Sequence, residues 1–388
     1  MKTFFRAAAV AAVLLAAAPV NAAEITVCIW GSLTGPDALV NGISYAARDY
    51  LEFLNQTKGG IAGHKVRTVL LDGRYKLDEE LKNYRRCVDR EQAVFVNGWS
   101  TGAAKALRDQ INQDAVPFIT QSGAGELVDP KNLPYMFIPG PTYEQQIVIA
   151  LRAAAHNGGK RAVILFPDNE YGRGPVTIVR QLGEAEKLGL KLETIEFPFD
   201  AQDITAQMLR IKAFDPDLVF VQGSTPQVLV ALRDAAKVGM PASKFAGSAN
   251  SLGPAIPKQL GAAAEGYRAL MVFSDFGSQI PAMEQIRQFM KTNEVEKKDV
   301  FYMRGWFEGI VMARAIEAAV VKNGGKVPDD IAVFRKSVRD GMVGLKDVDT
   351  GGITPPADYS NHQGTTQARV AVIKNGEFVA VGDWFDAR

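Results

Sequence analysis

The chain has 388 residues, 47% of them hydrophobic, and its 44 basic residues nearly balance 43 acidic ones. Such a balance favours neither nucleic acid nor an anionic membrane surface as a partner. The length exceeds what a single hydrophobic core fills, so two domains are expected.

The N-terminus carries Lys2 and Arg6, an apolar run from Ala7 to Ala18, and the small-residue stretch Pro19-Val-Asn-Ala-Ala23. This is the pattern of a secretory signal peptide cleaved after Ala22 or Ala23, and the run falls short of the roughly 20 residues that a membrane span needs. An exported, periplasmic protein is expected, with residues 1–23 removed.

Apolar β-like runs then alternate with amphipathic helical patterns. Ile25–Trp30 reads as a strand, followed by the turn Gly31-Ser-Leu-Thr-Gly-Pro36 and a helix through Ile43, Ala47, Tyr50, Leu51 and Leu54. Next come strand 65–71, helix 78–92, strand 93–96, helix 102–114 and strand 116–120. After a pause at Pro139–Tyr143 a second set begins: helix 144–156, strand 161–166, helix 174–188, strand 191–197, helix 204–214, strand 218–222, helix 227–238 and strand 244–247. Strand–helix alternation of this kind implies parallel sheets covered on both faces. The strand at 269–276, helices at 281–292 and 302–321, the Gly351–Pro356 run and a final hairpin turning at Asn375-Gly376 suggest that the chain crosses between lobes more than once. Cys28 falls inside the first strand and Cys87 inside a helix, so both read as buried free thiols, although an exporting compartment permits a disulfide.

In parallel α/β sheets ligands sit beyond the carboxyl ends of the strands. The loops there are 30–34, 98–101, 121–124, 168–171, 222–225 and 247–250, rich in hydroxyls, amides and small residues and poor in charge. They suit hydrogen-bonded recognition of a small molecule by residues such as Ser122 and Asn250, with Trp30, Trp99 and Tyr171 as apolar walls. Trp99 and Trp306 each fit core and cleft equally well.

Gly98-Trp-Ser-Thr-Gly102 admits two readings. As G-x-S-x-G between strand and helix it fits a hydrolase nucleophile elbow with His362 as base, but the chain has no oxyanion loop of the HGGG type. As a helix N-terminus it offers Ser100, Thr101 and free backbone N–H groups to an anion, or Ser100 serves simply as an N-cap. The three histidines lack metal spacing, and no P-loop, HExxH or CxxC motif occurs, so neither cofactor nor metal is expected.

The signal peptide, Gly31–Pro36, Gly98–Gly102, Pro117-Phe-Ile-Thr-Gln-Ser122 and Asp168-Asn-Glu-Tyr-Gly-Arg-Gly174, in this order and spacing, together resemble the leucine/isoleucine/valine-binding type of periplasmic binding protein. The resemblance implies an α/β fold of two doubly wound Rossmann-like lobes joined by three crossovers, 24–141 plus 273–350 and 142–272 plus 351–388. It implies a monomeric substrate-binding subunit that serves an ABC importer permease. Ser100, Thr101, Gly123 and Ala124 would hold a ligand carboxylate, and Tyr171 would close over it. Relatives that bind amino acids place an acid in a second-lobe loop, yet Gly247–Gly253 has none, which leaves Glu170 as a substitute. A small carboxylate or amide with an apolar or aromatic body is therefore expected ahead of a branched-chain amino acid. An exported serine hydrolase and a ligand-sensing receptor subunit are the alternatives.

Overall fold

The computed structural model describes residues 23–388, so the signal-peptide segment lies outside it but for Ala23. The strand β1, Ile25–Gly31, is buried along its whole length, as befits the middle of a parallel sheet covered on both faces. The first set of elements runs β1, α1 (Gly42–Lys58), β2 (Val66–Asp72), α2 (Leu77–Arg85), a π-helical turn at Arg86–Arg90, β3 (Phe95–Gly98), α3 (Thr101–Gln113), β4 (Phe118–Thr120) and β5 (Met136–Phe137). Its sheet is wholly parallel, in the order β2-β1-β3-β4-β5.

The second set runs α4 (Tyr143–His156), β6 (Arg161–Pro167), α5 (Glu170–Gln181), α6 (Glu184–Lys187), β7 (Lys191–Phe197), α7 (Thr205–Phe214), β8 (Leu218–Val221), α8 (Thr225–Lys237), β9 (Phe245–Gly247), α9 (Ala255–Leu260) and β10 (Arg268–Met271). The chain then returns as α10 (Pro281–Phe289), α11 (Val300–Lys322) and α12 (Ile331–Val343). It ends as β11 (Gln367–Lys374) and β12 (Glu377–Asp386). The second sheet reads β7-β6-β8-β9-β10-β11-β12, parallel up to β10, with the hairpin added antiparallel. Asn375 and Gly376 take φ of 54° and 79°, as a two-residue hairpin turn requires.

The helix α11 packs on α1 of the first set, so the chain passes between the two sheets three times: after β5, after β10 and after α12. Gly305 and Gly309 permit the close approach: a Cβ on Gly305 would lie 2.0 Å from the Ile43 carbonyl oxygen, and one on Gly309 would lie 2.6 Å from Tyr50 Cβ. Trp306, one residue from this seam, is fully buried against Tyr50 and Phe53, which settles it as core.

The cysteines correct the sequence reading. Cys28 and Cys87 form a disulfide, their Cα atoms 5.8 Å apart. A position inside a strand does not keep a thiol from a position inside a helical turn when that turn lies directly over the strand, and the separation falls in the bridging range. Thiol titration of the denatured protein without reductant is expected to find no free cysteine. Replacing both cysteines by serine is expected to cost about 2–5 kcal/mol in urea unfolding, and two titratable thiols would refute the pairing.

Candidate functional site

In a sheet of order 2-1-3-4-5 the crevice opens where the crossovers reverse direction, between β1 and β3 here and between β6 and β8 in the second sheet. The loops beyond the carboxyl ends of both sheets meet there. From the first set come Asp37, Val40, Ile43, Tyr75, Trp99, Ser100, Thr101 and Gln121, and from the second come Tyr171, Phe199, Ser224 and Asn250; Tyr143 and Arg304 complete the lining. The cavity is closed down to about 30 Å³, room for two or so waters, so a larger solute enters only when the two sets of loops part.

Three contacts hold the closed arrangement. Ser224 Oγ lies 2.6 Å from Asp37 Oδ1, Arg304 Nη1 donates to Asn250 Oδ1 at 2.9 Å, and the Tyr75 and Phe199 rings stack at 4.6 Å. At the rim, Lys105 donates to Glu170 at 2.6 Å. Arg74 and Tyr75 sit at φ of 52° and 56°, left-handed for side chains that rarely adopt it. Strain of this kind collects where a loop must aim a side chain, here the Tyr75 ring at Phe199. The loop that carries Asp37 is pinned from below by Asp72, whose Oδ2 accepts from Thr34 Oγ1 at 2.5 Å and whose Oδ1 accepts from Leu33 N at 3.1 Å.

Several residues singled out by sequence do line this cavity: Trp99, Ser100, Thr101, Tyr171 and Asn250. Gly123 lines an adjoining void between Gln121 and Val272. Ser122 stands one bond behind, its Oγ 2.8 Å from Thr101 Oγ1, and Ala124 lies deeper still, its N–H donating to Ser122 Oγ at 3.2 Å.

Trp30 is not a cleft wall. It is fully buried against Phe118, and its indole N–H donates to Glu80 Oε2 at 3.1 Å. The same oxygen accepts the Ser100 N–H at 2.9 Å, so the amide expected to be free for an anion is already taken. Glu80 comes from α2 and gave no signal in the sequence, because a Glu on a helix reads as solvated. Its burial pushes the carboxyl up, against the lowering effect of those two donors. Glu170, the substitute for a missing acid, faces solvent and pairs with Lys105 instead.

Ser100 has φ −72° and ψ 153°, and its Oγ accepts from Ala103 N at 3.2 Å as an ordinary N-cap. Gly98 is glycine because a Cβ would lie 2.2 Å from Phe118 Cζ. His362 stacks on Phe137, with Nδ1 2.8 Å from the Met136 carbonyl oxygen, and is absent from the cavity lining.

Asp37, Tyr75, Gln121, Tyr143, Phe199, Ser224 and Arg304 were not picked out individually. For Gln121 and Ser224 the signal existed, since 121–124 and 222–225 are strand-end loops. Asp37 lies six residues past the end of β1, Phe199 follows β7 by two residues in a stretch outside the loops singled out, and Arg304 lies inside a helix of the returning chain, where only the three-dimensional crossing brings it to the cleft. Arg304 Nε donates to Glu308 Oε1 at 3.0 Å, and Glu308 Oε2 accepts from Asn97 at 2.8 Å and Gln121 at 2.5 Å. A larger groove of about 590 Å³ lies between α4 and the face of β8–β10, but it is lined by one sheet's elements and is mostly aliphatic.

A family model described as periplasmic binding protein matches residues 24–377. The Leu/Ile/Val-binding protein BraC3 of Rhizobium johnstonii is 25% identical over 215 residues, 55% of this chain and 58% of that one. An amino acid binding protein of Pseudomonas aeruginosa is 24% identical over 57% of this chain and 59% of its own length, so the chain spans under two thirds of either relative. Among solved structures, a branched chain amino acid ABC transporter protein from Thermus thermophilus with bound valine superposes with a TM-score of 0.83 at 24% identity, covering 94% of this chain and 97% of that one. A fatty acid ABC transporter substrate-binding protein from Thermomonospora curvata gives 0.80 at 17% identity, covering 94% and 92%. Proteins named for solutes as unlike as a branched chain amino acid and a fatty acid share this fold, so the fold alone does not fix a ligand.

Proposed function

The chain belongs to the periplasmic binding protein family, and from that premise we propose that it is the solute receptor of an ABC importer, exported by cleavage after Ala22 or Ala23. It captures a small ligand between two lobes, 24–141 plus 273–350 and 142–272 plus 351–388, and presents the closed form to the importer permease as a monomer. One observation carries this reading: side chains from both sheets close a common cavity through Ser224–Asp37, Arg304–Asn250 and Tyr75–Phe199. A cavity built in this way exists only when the lobes close, so binding and closure are one equilibrium. The curated relatives named for amino acids make that ligand class the first to test, ahead of the small aromatic acids and amides that the charge-poor loops suggest.

The ligand-stripped protein, screened by thermal unfolding against amino acids, aromatic acids, amides and amines, is expected to respond to one chemical class. At a hundredfold excess over Kd the shift corresponds to about 2.7 kcal/mol, and the radius of gyration in solution falls with it. A protein that neither contracts nor gains stability with any solute is not a receptor of this kind. No catalysis is expected: Ser100 should stay unlabelled by a fluorophosphonate, whereas stoichiometric labelling abolished by Ser100→Ala would establish the hydrolase instead.

A further inference from the structure

We propose that the ligand carries an ammonium group and that the carboxylate of Asp37 receives it. This rests on the receptor reading above and names the chemistry of its cavity. Two charged side chains line the cavity among the described residues, Asp37 and Arg304. Arg304 is already engaged through Nε by Glu308, whereas no salt bridge reaches Asp37 among the described residues. The lining therefore carries one uncompensated acid in a water-poor space, and a ligand cation is the missing partner.

Hydrogen-bond counting leads to the same place. The Ser224 hydroxyl has one proton, but both Asp37 Oδ1 and Gln227 Oε1 lie 2.6 Å from its oxygen. The Gln227 amide is fixed in orientation by its Nε2 donating to the Phe199 carbonyl at 3.1 Å, and its Oε1 also takes the Ser224 N–H at 3.0 Å. When the hydroxyl donates to Gln227 Oε1, the Trp99 indole is left as the donor toward Asp37, and the rest of the carboxylate's acceptor capacity is unfilled among the described residues. An ammonium supplies the further donors and lets the carboxyl ionise.

The walls suit a cation as well. Trp99, Tyr75, Phe199, Tyr143 and Tyr171 surround the cavity, with Tyr143 and Tyr171 edge to face at 4.9 Å, and aromatic faces attract an ammonium that is shielded from water. A ligand with a carboxylate alone would place a second anion near Asp37 and the buried Glu80. The acid that the sequence sought in the second-lobe loop thus stands in the first lobe, on the loop after β1. Its closed-state partner Ser224 belongs to the other lobe, so a cation on Asp37 favours closure.

Matched probes test the assignment by calorimetry at pH 8: L-leucine, 4-methylpentanoate and isopentylamine, and L-phenylalanine, 3-phenylpropanoate and 2-phenylethylamine. The tightest binder is expected to carry the amine, and its deaminated counterpart to bind roughly a hundredfold more weakly or worse. Asp37→Asn keeps the size of the side chain; it should lower amine affinity by a comparable factor and change that of the deaminated acid by under about threefold. Asp37→Glu should restore part of the loss, and thermal unfolding shows that each variant is folded. Deaminated acids that bind as tightly as their amines, or an Asp37→Asn variant with unchanged amine affinity, overturn the proposal and leave the receptor reading standing. The same protein is exposed to a growth-medium extract and the retained solute identified by mass spectrometry. A solute without a basic nitrogen also overturns the proposal, and a folded protein that retains nothing overturns the receptor reading with it.

Discussion

Replacing Arg304 with methionine is expected to cost about 3–5 kcal/mol of stability at pH 8, the largest effect of any single substitution in the cleft. The guanidinium is nearly buried and makes three bonds: Nε to Glu308 Oε1 at 3.0 Å, Nη1 to Asn250 Oδ1 at 2.9 Å and Nη2 to the Gln121 carbonyl at 3.2 Å. Glu308 is fully buried, and burial pushes its carboxyl up even with Arg304 beside it. Without the arginine that carboxylate has no cation, so the variant's deficit should shrink at pH 5, where Glu308 can hold a proton. Arg304→Met combined with Glu308→Gln removes the charge on both sides and should recover a large part of the loss. A single variant within 1 kcal/mol of the parent in urea unfolding at pH 8 would mean that the pair contributes only through its contact with Asn250.

How much of this site was legible in the sequence depended on chain distance. The strand-end loops were visible, because a parallel strand must end in a turn and the turn residues are small and polar. Trp99, Ser100, Thr101, Tyr171 and Asn250 therefore came out of periodicity together with the resemblance. What stayed hidden was whatever a side chain does after the turn. Trp30 and Trp99 stand near the ends of adjacent strands but one register step apart, since Ile29 pairs with Asn97, and that step sends Trp30 under the sheet to Glu80 and Trp99 into the cleft. The register of the two strands appears only once they are paired, and spacing along the chain does not give it. Glu80 and Arg304 sit on helices, where charge usually means solvent, and only the assembled fold buries them. The α/β class and the repeated crossings were readable from the order of elements, whereas α12 and the short β5 were not picked out. The disulfide was misjudged because one-dimensional context says what a cysteine is part of, not what lies over it.

The ligand-free protein is expected to open as pH rises through neutrality. Burial raises the Asp37 carboxyl from 3.8 to about 7, opposed by hydrogen bonds from Ser224 and Trp99 and reinforced by Glu80. In the open cleft this carboxyl is hydrated and close to its ordinary value. An acid raised in the closed form favours that form fully below its ordinary pKa, and the advantage is lost as pH climbs to about 7. The shift corresponds to on the order of 4 kcal/mol at pH 8, against the closed state. The chain need not unfold to escape that cost, because parting Ser224 from Asp37 rehydrates the carboxylate. Tyr75, Tyr143 and Tyr171 also face the cavity, but their hydroxyls are raised and stay neutral across this range. Glu80 lies beneath the first lobe's own turn, bonded to Trp30 and Ser100 of that lobe, so it is buried whether the lobes are open or closed. The radius of gyration of the stripped protein should therefore grow between pH 5 and pH 8, and Asp37→Asn should flatten the change. A bound ammonium reverses the sign, since it holds the ionised carboxylate in the closed form and keeps the liganded protein compact at pH 8. Equal dimensions at both pH values without ligand, or the same expansion in Asp37→Asn, would show that Asp37 does not set the balance between the two forms.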